Sequence, residues 1–322
     1  MPGSGTRTFL EPDDYEASLR QTQIELVSTC CGGFEARLTW AELHSMQLLR
    51  CEETLPRIVY LCLAPQLVFI AFPASSGPMP VWRGTKMQAG DIMFHSRGER
   101  LHQAATLGPS TWSVIALDPA QLETYGLALS GKPLPLPPEG RVLRPSPGDA
   151  ARLRRLHAQA CRLAETKPKM LTHPEVARAI EQGLIQALVT CLIAAKVQED
   201  GAANRRHARI MIRFEEVLAE NISQPLHMAK LSELIGVTDQ RLRSCCAEFL
   251  GISPSRYVLL RRLKRVRIAL RDADPNTADV AELAQYCGFT ELDRFAGVYH
   301  AAFGETPSTT LRRAPGVRFA TR

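Results

Sequence analysis

Between about Ile24 and Asp118 the apolar positions come in short runs broken by Pro, Gly and Ser: RIVYLCL, QLVFIAFP, MPVWRG, GDIMFH and TWSVIALD. β-Branched and aromatic residues separated by frequent turn residues predict many short strands, closed into a small barrel or sandwich. From Asp149 to Glu165 the period changes, and Leu153, Leu156, Ala160 and Leu163 recur at helical spacing. A second helical run, Pro174 to Val197, opens on Pro and carries Ile180, Leu184, Leu188, Cys191 and Ala195 on one stripe. That stripe packs on the strand-rich region or on a second copy of the chain, and the pattern leaves a homodimer open. KPLPLPPEGRVLRPSPGD (Lys132 to Asp149) predicts a semi-rigid connector, EDGAANRRH (Glu199 to His207) a hinge, and residues 1–15 a flexible tail.

The last third repeats itself. LSELIGVT (Leu231–Thr238) and LAQYCGFT (Leu283–Thr290) each end an apolar helix on Gly236 or Gly288, where positive φ carries no Cβ penalty. Thr238, and Thr290 or Glu291, then open a second helix as N-caps. In the first copy Leu242, Cys245, Cys246 and Phe249 fall at i, i+3, i+4 and i+7 and predict a buried face. Gln240, Arg243, Ser244 and Ala247 face the other way, with Arg241 at the flank. Helix, Gly turn, helix is the helix-turn-helix layout, and an Arg from the first turns of its second helix can make two hydrogen bonds to a guanine edge. Gly251-Ile-Ser-Pro254 and Gly304-Glu-Thr-Pro307 close the two copies alike.

Charge sharpens this reading. Residues 201–322 hold 19 Lys and Arg against 13 Asp and Glu, while residues 1–200 hold 20 of each, so the whole net charge of +6 sits in the last third. Between the copies, SRYVLLRRLKRVRIALR (Ser255 to Arg271) lays Leu259, Leu263, Val266 and Leu270 on an apolar stripe and has no acid. Its Arg256, Arg261, Arg262, Lys264 and Arg265 are candidate phosphate contacts, with Arg267 and Arg271 also basic.

With these residues in view, the region from about Arg209 to Arg313 resembles the DNA-binding domain of AraC/XylS-type transcriptional regulators. Leu231, Gly236, Thr238, Leu242, Phe249, Gly251, Pro254 and Tyr257 carry the likeness in the first copy. Val280, Leu283, Ala284, Gly288, Phe289, Phe295, Tyr299, Phe303, Gly304 and Pro307 carry it in the second. ELDRFAGVYHAAFGETPSTTLRR also looks like the branch containing the ethanolamine-operon activator. The resemblance implies seven helices, with the third and sixth read into two major-groove segments. Carried over by motif, the base-reading positions are Thr238, Gln240, Arg241, Arg243 and Ser244, then Thr290, Asp293, Arg294, Ala296 and Gly297. Gly297 offers no side chain, and Glu291 and Asp293 bring negative charge, so the first copy is expected to supply most base readout. The family implies double-stranded DNA, RNA polymerase and a small-molecule effector as partners.

The expected fold class is α+β. It comprises a cupin-like effector-binding β-barrel (16–138), a Pro-rich connector with helical spacer (139–204) and an all-α DNA-binding domain (205–322). Trp82, Arg83, His95 and Trp112 are candidate pocket residues, because aromatic walls with a few polar groups suit small ligands. A metal cupin needs His-x-His with a downstream acid and a second His. Here His44, His95 and His102 stand apart and only GDIMFHSRGERLH echoes such a motif, so no metal and no cofactor are expected. No G-x-S-x-G, P-loop or G-x-G-x-x-G occurs, which points away from an enzyme. The nine cysteines form no C-x-x-C; Cys62, Cys191, Cys245 and Cys246 read as small buried hydrophobes, and Cys30–Cys31 as incidental or redox-sensing. No signal-peptide pattern opens the chain, and Leu184 to Ala195 reads as too short for a membrane span, so a cytoplasmic protein is expected. The leading reading is a sequence-specific regulator, an activator, under effector control. Two alternatives stay open: a metal-dependent cupin enzyme fused to a DNA-binding module, and a regulator whose N-terminal domain binds only protein.

Overall fold

The computed structural model describes residues 3–19, 22–74, 77–98, 100–198, 201–221 and 226–313, without the side chains of 22, 23 and 100–104. The chain is α+β: a strand-rich N-terminal half, two long helices, then a helical C-terminal region. The first half runs β1 (Ser4–Phe9), α1 (Pro12–Ser18), β2 (Thr22–Ser28), β3 (Ala36–Glu42), β4 (Met46–Glu53), β5 (Arg57–Leu63), β6 (Val68–Pro73), β7 (Val81–Trp82), β8 (Thr85–Lys86), β9 (Ile92–His95), β10 (Arg100–Ala105) and β11 (Ser110–Leu117). Then follow α2 (Pro119–Ser130), β12 (Arg141–Arg144), α3 (Pro147–Thr166), α4 (Pro174–Ala194) and β13 (Lys196–Val197).

The strands form two antiparallel sheets: β1-β3-β4-β11-β6-β9-β12-β13 and β2-β5-β10-β7-β8. Alternation along the strands decides what each face meets. Leu38, Cys51, Phe69, Met93 and Trp112 of the first sheet pack on Leu26, Val59, Leu63 and Trp82 of the second, which gives the barrel its interior. The opposite face of the first sheet, with Leu48, Ile70, Phe94 and Ile115, is covered by α3 and α4 through Leu153, Leu184, Leu188 and Cys191. The helical stripe is thus consumed within the chain.

Four expectations need correction. Residues 4–15 are no tail: β1 pairs with β3 throughout, and Tyr15 on α1 is fully buried. The Pro-rich connector contains β12, because the four non-Pro residues Arg141–Arg144 can donate to the ladder, and Arg141–Leu143 pair with β9. Helix α4 ends at Ala194, and Lys196–Val197 pair with β12 instead. By length and composition α4 could cross a membrane. Here it is a core helix whose buried Glu181 accepts bonds from the Ser45 amide at 3.0 Å and hydroxyl at 2.5 Å. Of the hinge expected at 199–207, residues 199 and 200 lie outside the described residues, and the rest is helix from Ala202 on, where α5 (Ala202–Glu220) begins.

Six more helices follow: α6 (Met228–Ile235), α7 (Asp239–Leu250), α8 (Pro254–Asp272), α9 (Val280–Tyr286), α10 (Leu292–Phe303) and α11 (Pro307–Arg312). They make two small cores. Phe214, Leu231, Leu242, Cys246, Phe249 and Tyr257 fill the first, and Leu263, Val266, Leu270, Phe295 and Tyr299 the second, with α8 reaching both. Val27, Ile58 and Ala105 from the outer face of the five-stranded sheet join the first core. The helical domain is therefore docked on the barrel.

Candidate nucleic-acid interface

Two helix pairs, α6–α7 and α9–α10, are built alike. Gly236 turns the first pair at φ +77° and Gly288 the second at +87°. Helix α7 is capped by Thr238, whose hydroxyl accepts from the Arg241 amide, and stops at Gly251 in the left-handed region. Helix α10 stops the same way at Gly304. Ser253 and Thr306 then cap α8 and α11, each followed by Pro at the first helical position. The spacing between copies changes inside the turn. The turn glycines are 52 positions apart and the closing glycines 53, so Glu291 rather than Thr290 takes the N-cap position, without a side-chain cap bond.

On α7 the faces separate cleanly. Leu242, Cys245, Cys246 and Phe249 are buried, while Thr238, Gln240, Arg241, Arg243 and Ser244 are all exposed. A shallow open groove lies beside them, lined by Ser232, Glu233, Gly236, Val237, Thr238 and Arg241. On α10, Asp293, Arg294, Ala296 and Gly297 are exposed together with Thr290 in the preceding turn. Arg294 is tied to Glu291 at 2.9 Å across an exposed turn, and nothing stands near Gly297.

The candidate phosphate residues on α8 divide. Arg256 is exposed and donates to the Thr29 carbonyl at 3.5 Å. Arg262 and Arg265 are half-buried beside Leu218, Asn221 and Leu226. Arg261 and Lys264 do not face a phosphate in this arrangement, because carboxylates hold them. Arg261 meets Glu215 at 2.5 Å and Glu25 at 3.4 Å, and Lys264 is buried against Glu16 and the Leu26 carbonyl. The clamp continues along the helix. Arg267 reaches Glu11 at 2.5 Å, Asp13 at 3.1 Å and Glu305 at 2.8 Å, and Arg271 reaches Asp13 at 2.7 Å and Asp14 at 3.1 Å. Burial works to raise the Asp13 carboxyl, but Arg267, Lys264 and Arg271 together hold it below its ordinary value. For Glu16 burial wins over Lys264 and pushes the carboxyl up to about 7. Sequence reading missed this acidic clamp. Its signal was EPDDYE, an acidic run placed in a supposed tail and complementary to the basic helix.

Inside the barrel is a cavity of about 110 Å³, walled by apolar side chains of both sheets together with Tyr15 and Leu19 of the α1 region. Trp82, His95 and Trp112 line it. Arg83 does not: it sits at φ +47° in the β7–β8 turn, with its guanidinium 5.4 Å from the centroid of the Trp82 ring. The cavity's charged pair was not foreseen. Arg57 donates to Glu53 at 2.6 Å through Nε and 3.2 Å through Nη2, and Tyr15 donates to Glu53 at 3.0 Å. Burial opposes the Arg57 charge, but Glu53 raises its pKa above the ordinary value. Among the described residues no group of three or more His, Cys, Asp and Glu side chains could hold a metal ion; the His102 side chain lies outside them.

Residues 231–313 match the family model of a helix-turn-helix domain. The C-terminal domain belongs to the AraC/XylS family. The chain is 34% identical over 101 residues to the XylDLEGF operon transcriptional activator of Pseudomonas putida, which covers 31% of this chain and 32% of that protein. It is 32% identical over 146 residues to a probable thc operon regulatory protein of Rhodococcus erythropolis, 44% of this chain and 43% of that one. These matches thus span less than half the length of those relatives. Among solved structures, the AraC-like transcriptional activator CuxR is similar at 15% identity and a TM-score of 0.41, over 88% of this chain and 99% of that one.

Proposed function

We propose that the protein is a sequence-specific transcriptional regulator, an activator, in which a small molecule bound inside the barrel controls the DNA-binding domain. The observation that carries the DNA-binding part is the doubled helix-turn-helix whose first reading helix buries Leu242, Cys245, Cys246 and Phe249 and exposes Gln240, Arg241, Arg243 and Ser244. Such a protein acts inside the cell, without catalysis or cofactor, and hands its signal to RNA polymerase; a homodimer would double its site. Effector control is supported by how the barrel is built. Ile24 and Leu26 of β2 and Val59 and Leu61 of β5 line the cavity. Their neighbours Glu25, Val27, Ile58 and Tyr60 point outward to the helical domain. Helix α1 does likewise, with Tyr15 at the cavity and Asp13 and Glu16 on α8. In the arrangement described, the acidic clamp occupies basic side chains of α8, and an effector that favours the undocked domain shifts the population able to hold DNA.

The test is selection of bound sequences from a random DNA library by the purified chain at stated salt. A bipartite site with its information concentrated in one half is the expected outcome. Enrichment of no sequence, with or without candidate metabolites, would remove sequence-specific recognition from the reading.

A further inference from the structure

Three of the cavity's buried polar atoms are N–H groups that can only donate, beside His95 Nδ1, whose role depends on the tautomer. Among the described residues Arg57 Nη1, Trp82 Nε1 and Trp112 Nε1 are buried N–H donors without an acceptor. The residues carrying them are 7%, 2% and 5% exposed, and all three line the cavity. The acceptors are saturated by contrast: the Glu53 oxygens take bonds from Tyr15, from two Arg57 nitrogens and from Ser110 at 3.4 Å. A buried donor left unpaired forfeits its hydrogen bond to water with nothing in return, so a molecule that brings acceptors and no donors recovers most from this site.

Charge and size narrow the class. Arg57 and Glu53 already neutralise one another at 2.6 Å. An anionic ligand would leave the enclosed space with an uncompensated negative charge beside Glu53. Apart from the lining Tyr15, Cys51 and His95, the remaining wall is apolar or indole, with Leu49, Leu61, Phe69 and Met93 around it. The volume of about 110 Å³ suits a body on the order of one six-membered ring.

On the reading of the barrel as a small-molecule sensor, we infer that the cavity selects uncharged, compact apolar molecules bearing a carbonyl acceptor. The carbonyl oxygen takes hydrogen bonds from Arg57 Nη1 and Trp112 Nε1, and the hydrocarbon body meets the apolar wall.

Three probes of similar shape separate the alternatives in the full-length chain: cyclohexanone, methylcyclohexane and cyclohexanecarboxylate. The sequence holds three Trp. Indole N–H resonances therefore report directly, with Trp40, which does not line the cavity, as internal control. Saturable movement of the Trp112 and Trp82 signals by cyclohexanone, with Trp40 still and affinity roughly tenfold or more above methylcyclohexane, is the expected result. Equal affinity for the two would overturn the donor role, and tighter binding of the carboxylate would overturn the uncharged class; either would leave the sensor reading standing. No response to any probe would overturn both. Trp112→Phe keeps the Arg57–Glu53 pair and should weaken cyclohexanone several-fold while sparing methylcyclohexane. Unchanged binding of both would take Trp112 out of the site.

Discussion

Arg243 and Ala296 hold the same position, fifth in the second helices of the two helix-turn-helix pairs, each 12 residues long. One carries a forked donor that fits a guanine edge and the other a methyl group. Ser244 and Gly297 repeat the contrast one residue on. Replacing Arg243 by Ala should weaken operator binding by about 1–3 kcal/mol, roughly 5- to 150-fold, and relax preference at one base pair. Titration of the selected site against its single-base variants checks this, and an unchanged profile would move readout elsewhere. The exposure of Arg243 and Ser244 was legible in the sequence because the alternation of Leu242, Cys245, Cys246 and Phe249 with polar residues fixes which side of the helix is open. The one-residue lengthening of the second turn was not: Thr290 and Glu291 are both acceptable N-caps, and only the closing Gly304 settles the register. The unpaired donors of Arg57 and Trp112 were also hidden. Strand alternation says that a residue points inward, not which hydrogen-bond partners meet it there.

At the scale of elements, α8 departs most from its sequence reading. Its apolar stripe was visible, but Lys264 and Arg267 are as buried as leucines, because the partners that make this affordable lie about 250 residues away in α1 and its flank. Periodicity has no access to such a pairing, although the split of charge between the halves hinted at it. The clamp should titrate. Glu16 binds its proton more tightly in the folded chain, at about 7 against an ordinary 4.5. Its stabilising contribution is therefore full below pH 4.5 and is lost as pH rises through 7, on the order of 3 kcal/mol in all. His157 runs oppositely: burial lowers it to about 4 from 6.5, so its contribution is full above 6.5 and lost as pH falls through 4. Above pH 6.5 the His157 contribution nears completion, so the last part of the fall, through pH 7, belongs to Glu16. Glu16→Gln should flatten the fall in Tm expected of the parent there, and parallel slopes for parent and variant would exclude Glu16 as the source.

For the whole molecule the issue is which arrangement meets DNA. Glu11, Asp13, Asp14 and Glu16 grip α8 from one side, and Tyr60 reaches Glu215 and Tyr257 from the other. The β7–β8 turn lies so close to α7 that a Cβ on Gly84 would come within 2.5 Å of Phe249. Asp13→Lys places a cation between Arg267 and Arg271 and should loosen the docking. A larger radius of gyration in solution scattering, with several-fold tighter DNA binding at fixed salt, is the expected pair of results. A more open chain with unchanged DNA affinity would show that docking does not restrain binding. The fold class and the doubled motif were readable in the sequence. The docking was not, since it depends on outward-facing residues such as Val27 and Ile58 that any strand pattern assigns to a sheet surface without naming what covers it.

The division of labour along β2 and β5 has one more consequence. Inward residues hold the cavity and outward residues hold the helical domain on the same two strands. If occupancy of the cavity alters the affinity for an operator by some factor, thermodynamic linkage requires the operator to alter the affinity for the small molecule by that same factor. The genome then becomes part of the sensor. A promoter that binds strongly sets a different detection threshold from one that binds weakly, and cyclohexanone titrated with and without operator DNA would measure the difference.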